Sequence, residues 1–355
     1  MARGNTRPGV KLGLLVPAGV TIDTLILIVS FVVILGGSLV FTNALEHIGE
    51  RFGLSTGVTG SIFAAVGTAL PETAVPIVAF ATGHGSTTHN DIGIGAILGA
   101  PLMLATLAFF LMGVMALVRR GPRSMITPEP TGVQRDMRFF LAAFIIAVVV
   151  PYVPHHAIWV RCLFALALVS IYAVYLWRTI RASGKLVEAG HGTESDVPLH
   201  LGRLGLPNNV VVQSLQLLAG LVLIIAGARG FVDGITGISG TLGLSPLFLS
   251  LAIVPFATEL PEKLNSLIWI SKRQDTLAVG NVSGAMVFQS SLLPAIGILA
   301  TPWTATFDVR LAMAITLLVG VWLLLLSRLR RFPALALMLN GCAYVAYFVI
   351  LFRHG

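Results

Sequence analysis

The sequence predicts an all-α polytopic membrane protein of ten spans, built as two inverted five-helix repeats. Three observations carry this. Of 355 residues 56% are hydrophobic and only 11% charged, with a mean hydropathy of +0.90, whereas a soluble domain carries nearer a quarter charged residues. The basic residues cluster between apolar runs. Finally, one local pattern occurs twice inside long apolar runs: Gly67-Thr68-Ala69-Leu70-Pro71-Glu72 and Ala257-Thr258-Glu259-Leu260-Pro261-Glu262.

A bilayer crossing needs about 20 apolar residues. Ten segments satisfy this loosely: Ile22–Phe41, Val58–Ala81, Ile92–Val118, Phe139–Val153, Ile158–Trp177, Val210–Ala228, Leu247–Ile270, Thr276–Ala300, Leu311–Leu326 and Pro333–Phe352. The fourth and ninth are short. Met1 to Lys11, with Arg3, Arg7 and Lys11, is similar to the start of a signal peptide. No small-residue cleavage site follows it, so it is read as an uncleaved tail. The sizeable polar stretch, Arg178 to Asn209, contains Gly184, Gly190, Gly192, Pro198 and Pro207 amid mixed charge. It reads as a flexible cytoplasmic linker at 178–209, between a first repeat at 1–177 and a second at 210–355.

Lysine and arginine placement sets the predicted orientation. With the N-terminus outside, the inner loops hold Arg119, Arg120, Arg123, Arg135, Arg138, Lys272, Arg273, Arg328, Arg330 and Arg331, besides the basic residues of the linker. The outer loops are then nearly bare apart from the N-terminal tail. Both termini are therefore expected outside, in the cytoplasmic membrane. The net charge of +8 reads as loops beside anionic lipid rather than a nucleic-acid surface.

An offset of 190 residues places the stretch Gly37–Glu72 on Gly227–Glu262 without a gap. Gly37 falls on Gly227, Phe41 on Phe231, Gly53-Leu54-Ser55 on Gly243-Leu244-Ser245, and Thr68 on Thr258. The glutamates then lie in spans two and seven, an odd separation, so the copies cross in opposite directions. That is an inverted-topology repeat, which secondary transporters use to build a site near the midplane.

The motif chemistry favours hard cations. A proline inside a helix lacks an N–H and cannot bond the carbonyl four residues back. Pro71 therefore releases the carbonyl of Gly67, and Pro261 that of Ala257. With the hydroxyls of Thr68 and Thr258 and the carboxylates of Glu72 and Glu262, two antiparallel broken helices present an all-oxygen cage of the kind Ca²⁺ takes. Soft ligands are absent. Of the fifteen acidic residues, only Glu72, Glu259 and Glu262 lie well inside predicted spans, where a carboxylate costs roughly 2.5–3.5 kcal/mol on insertion scales. Each motif helix is followed by a second glycine-bearing one, with Gly95-Ala96-Ile97-Leu98-Gly99 and Gly280-Asn281-Val282-Ser283-Gly284. Close helix packing is the commonest meaning of that spacing.

These paired motifs resemble the α1 and α2 repeats of the sodium/calcium exchanger (cation/Ca²⁺ antiporter) superfamily, whose common patterns are GTSLPE followed by GNxxGSNxxN. The resemblance covers nearly the whole chain. It implies antiport of Ca²⁺ against Na⁺ or H⁺ by alternating access, with Glu72 and Glu262 as central metal ligands. Thr68 and Thr258 match the family threonines, and Asn281 matches the asparagine of its GN pair. The chain departs from the pattern at Ala69 and Glu259, where the family has serine. It departs again at Ala100, Pro101, Ala285 and Met286, in place of the GSN element. Leu104 stands where the first repeat usually offers a polar group, while Gln289 keeps an amide in the second. Several groups that complete the family's Na⁺ sites are thus missing, and the coupling ion stays open between Na⁺ and H⁺.

Lys263 stands four residues past Glu259, the favourable acid-to-base helical orientation. Two readings stay open: a structural neutralisation of Glu259, or an ammonium occupying a former Na⁺ site with a proton as counter-ion. Cys162 and Cys342 lie in apolar runs and are expected to be reduced core residues. His84, His89, His155 and His156 read as solvated loop residues. Gly237-Ile238-Ser239-Gly240 is similar to a serine-hydrolase turn, but it falls in a predicted loop with no histidine placed as its base. No GxxxxGK[ST] element exists, so the chain offers no nucleotide site. No resident cofactor is expected, only transported cations and the lipid bilayer. The predicted function is therefore cation antiport, with a cation channel or a non-transporting cation-binding relative as the alternative.

Overall fold

The structure, a computed structural model, describes residues 18–51, 69–187 and 198–354, and the side chains of these except at 18, 50, 182–187, 260–262 and 354. Among the described residues the chain forms α1 (Ala18–Arg51), α2 (Leu70–Gly83), α3 (Thr87–Met103), α4 (Phe109–Arg120), α5 (Pro130–Val149) and α6 (Ile158–Val187). The second half forms α7 (Val210–Leu242), α8 (Pro246–Thr258), α9 (Leu260–Ser271), α10 (Asp275–Ala300), α11 (Phe307–Arg328) and α12 (Met338–His354). A π-helical turn at Leu104–Ala108 joins α3 and α4 into one rod. Among the described residues six helices are long and apolar enough to cross a bilayer: α1, α3–α4, α6, α7, α10 and α11.

Burial shows the bilayer as solvent. On α1, Ile22, Leu25, Val29 and Val32 recur three to four residues apart and are all exposed, a stripe that water penalises and lipid does not. The rod α3–α4 and helix α10 are the most enclosed, with 61% and 67% of their most apolar stretch buried against 22% for α1 and α6. The protein is therefore a polytopic all-α membrane protein with α3–α4 and α10 at its centre.

Two apolar cores organise the helices. The larger draws on α3–α4, α5, α10 and α11; the smaller on α1, α2, α7 and α8. Helices α3 and α8 contribute to both, so these two helices lie at the seam between them.

Helix α1 lies along α7 at backbone contact. A Cβ added at Gly220 meets the Phe41 amide nitrogen at 2.7 Å and the Gly37 carbonyl at 2.9 Å. Backbone cannot yield as a flexible side chain does. Gly220→Leu is expected to force the helices apart and destabilise the fold by about 1–3 kcal/mol, the usual cost of overpacking. Thermal unfolding in detergent checks this; an unchanged midpoint would mean that the pair separates at no cost.

The loops gather at two ends. At one, Met125–Ile126 pairs antiparallel with Phe332–Pro333. Beside that ladder Arg120 donates to Asp275 at 3.0 Å, and the Thr127 amide donates to the same carboxylate at 2.8 Å. At the other, Arg161 is 1% exposed and has carbonyls rather than an acid as its acceptors. It donates to the carbonyls of Ile298, Thr301 and Pro302 at 2.6, 2.7 and 2.9 Å. A cation there complements the negative end of α10.

Four local expectations change. The fourth span was expected from Phe139, yet α5 begins at Pro130, because Glu129 caps it by accepting from the Thr131 and Gly132 amides. The expected flexible linker starts as helix, since α6 continues to Val187. Its far end is fastened: Leu199 is buried, the His200 amide donates to Asn43 and the Leu201 amide to Gln216. The Gly237–Gly240 stretch is not a loop but part of α7, and the Ser239 hydroxyl donates to the Leu244 carbonyl at 2.6 Å. Cys162 and Cys342 are exposed rather than core residues. In a bilayer both faces of a helix are apolar, so an apolar run does not say which way a cysteine points.

Candidate functional site

The site is built on a helix break in the second half and a matching helix start in the first. Helix α8 stops at Thr258, Glu259 adopts φ −100° and ψ 3°, and α9 starts at Leu260 with Pro261 in its first turn. In the first half Ala69 adopts φ −83° and ψ −2°, and α2 starts at Leu70 with Pro71 in its first turn. The new helices begin alike: the Lys263 amide bonds the Glu259 carbonyl at 3.1 Å, and the Thr73 amide bonds the Ala69 carbonyl at 3.2 Å. Both helix starts carry a proline, whose missing N–H costs nothing in a first turn. They occur at the same register of the repeat.

Glu72 sits in the first turn of α2 and is 4% exposed. A carboxylate there is favoured by the positive end of the helix dipole. Its helix packs against α3, α7, α8 and α10, which come from both halves. Glu262 occupies the first turn of α9; its side chain lies outside the described residues, as do Gly67 and Thr68. Ala257 and Thr258 are buried in the last turn of α8. The Thr258 hydroxyl donates to the Val254 carbonyl at 3.1 Å, which leaves its oxygen lone pairs as the accepting end.

Glu259 is fully buried and both of its oxygens have donors. The Lys263 ammonium lies 3.2 Å from Oε2, and Gln289 Nε2 donates to Oε1 at 2.7 Å. Lys263, itself 4% exposed, also reaches the Pro255 carbonyl at 3.5 Å. The expected pairing of Lys263 with Glu259 is thus observed, and Gln289 joins it from α10. Asn281 is not part of this group: it donates to the Ser266 hydroxyl at 3.2 Å, about 12 Å further along α10 at 1.5 Å per residue. Among the described residues no three His, Cys, Asp or Glu side chains gather as a metal site.

The glycine helices differ in use. A Cβ at Gly99 meets the Leu251 carbonyl at 2.6 Å, and one at Gly95 meets Leu247 and Ser250, so the first segment packs against α8. In the second, Ser283 is fully buried and donates to Asp136 at 2.6 Å. Asp136 is 4% exposed and also accepts from Arg135 at 3.4 Å. Sequence reasoning passed over Asp136 because it precedes the predicted fourth span. The Glu129-Pro130 start of α5 was the signal that places it two turns into a helix.

Comparison with known proteins follows this geometry. The family model described as sodium/calcium exchanger protein matches residues 22–181 and 213–353. CaxA of Alkalimonas amylolytica is 33% identical over 145 residues, which span 38% of this chain and 44% of that protein. The match thus covers less than half of that relative's length. A solved structure of an H⁺/Ca²⁺ exchanger, CAX, superposes with a TM-score of 0.66 at 16% identity, covering 92% of this chain and 86% of its own. One of a sodium-calcium exchanger, NCX_Mj, superposes with a TM-score of 0.55 at 22% identity, covering 93% and 99%. At such identities the likeness establishes a shared fold.

Proposed function

The chain belongs to the sodium/calcium exchanger family, and on that premise we propose that it is a secondary cation antiporter rather than an enzyme. It exchanges Ca²⁺ against Na⁺ or H⁺ by alternating access at a carboxylate site near the bilayer midplane. The observation that carries this reading is the helix start repeated at one register, each time with a proline and an acid in its first turn. Two such helix starts, one in each half of an inverted repeat, suit a site that opens to either side in turn.

Helix packing supports the inverted ten-span arrangement. The contact of α2 with α3 recurs as α9 with α10, that of α5 with α10 as α11 with α3, and that of α6 with α10 as α12 with α4. The basic loops around Arg120, Arg273 and Arg330 meet at one end, which supports a cytoplasmic assignment for that end and external termini in the cytoplasmic membrane. Glu72 and Glu262 are the central ligands in this reading. Thr68, Thr258 and the carbonyls of Gly67 and Ala257 complete the shell, with Glu259, Gln289 and Asn281 behind them. The oxygen-only donor set favours Ca²⁺ over softer metals.

Purified protein in sealed liposomes tests the reading through Ca²⁺ flux under separately imposed Na⁺ and H⁺ gradients. Uptake driven by at least one gradient is expected. Flux that needs no counter-ion would place the chain among channels, and no flux under either gradient would remove the antiport reading.

A further inference from the structure

The two halves provide an internal control for the group around Glu259. The first half starts its helix in the same way, with similar backbone angles at Ala69. Yet it carries Ala69 where the second carries Glu259, Thr73 where the second carries Lys263, and Leu104 where the second carries Gln289. The helix start therefore needs none of these three polar residues. They occur together in one half, bonded to one another and buried at 0–4% exposure.

A buried acid that only served packing would be replaced without loss by an apolar residue, since a buried ion pair rarely stabilises more than its hydrophobic substitute. Here the acid is matched at both oxygens, by an ammonium on one and an amide on the other. The ammonium already supplies the positive charge that an alkali cation would bring to this buried carboxylate, so a second cation there would meet a like charge. Lysine suits that place as a compact point charge on a flexible stem.

We propose that Lys263 is a resident cation, holding on Glu259 the position a transported monovalent ion would take, so that exchange by this chain does not depend on Na⁺. The inference rests on the antiport reading of the same site and adds which group determines its ion specificity. It assigns Lys263 and Gln289 as specificity-determining residues, and it removes Glu259 from the ligands of the transported ions.

Thermal unfolding of the purified full-length protein tests this, with NaCl against choline chloride at equal ionic strength. Wild type is expected to show no Na⁺-specific shift. Lys263→Gln leaves Glu259 without its ammonium and is expected to gain an upward Na⁺-specific shift, together with Na⁺-dependent Ca²⁺ flux in liposomes. The double variant Lys263→Gln/Glu259→Gln is expected to lose that shift again. A Na⁺-specific shift in wild type overturns the proposal, and so does its absence in folded Lys263→Gln or its persistence in the double variant. The wild-type measurement decides even where Lys263→Gln fails to fold. Ca²⁺-induced stabilisation and flux of the same wild-type protein separate the two ideas. If both are lost, the antiport reading fails; if both persist alongside a Na⁺ shift, only the resident cation fails.

Discussion

Glu72→Gln is expected to abolish cation exchange while the protein still inserts and folds. The amide is nearly the size of the carboxylate, so the buried first turn of α2 keeps its packing, and insertion becomes easier without the charge. What disappears is a charged oxygen ligand. One contact to a charged group contributes about 1.5–3 kcal/mol, and more where it meets a divalent ion. A loss of exchange of roughly tenfold to over a hundredfold follows, since about 1.4 kcal/mol is one decade. Glu262→Gln is expected to match it, because the repeat places both acids at one register. Ca²⁺ flux in liposomes, beside a membrane-insertion assay, reads the result. Near-normal exchange in either variant would remove these acids from the site.

Arg161→Met is expected to lower stability strongly with no direct effect on ion binding. The guanidinium satisfies three carbonyls where α10 ends, at Ile298, Thr301 and Pro302. Methionine fills part of the volume but donates nothing, and each buried carbonyl left unpaired costs about 1–3 kcal/mol. A loss of about 3 kcal/mol or more is expected, read as a lower unfolding midpoint in detergent. Arg161→Lys should recover only part of it, because a point charge does not span three acceptors as a planar fork does. A midpoint equal to wild type in Arg161→Met would show that other donors or water take over these carbonyls.

Much of the architecture was legible because its causes are local or periodic. The membrane class follows from composition, and the break before α9 and the start of α2 follow from Pro261 and Pro71, whose missing N–H acts within one turn. The pairing of Glu259 with Lys263 was also local, four residues apart on one helical face. Boundaries were less legible. Apolar windows began the fourth span at Phe139, whereas the capped start at Glu129-Pro130 adds more than two turns before it. The Gly237–Gly240 stretch reads as a loop by composition, yet α7 continues through it, and a Cβ at Gly237 would meet Asp23 of α1 at 2.4 Å. Contact with a neighbouring helix, not propensity, decided that segment.

By itself, then, the sequence determined the solvent of this protein, its internal repetition, the places where two helices must break and the acids beside them. Only the tertiary structure decided which polar groups meet. Gln289 reaches Glu259 across 30 residues, Ser283 reaches Asp136 across 147, and Arg161 reaches the end of α10 across 137. Nothing in the hydropathy pattern marks these partners. In lipid, the outward and inward faces of a helix are both apolar, so the amphipathic stripe that orients a helix in water is absent. The few buried polar side chains supply that information instead, and their pairing exists only once the helices have packed.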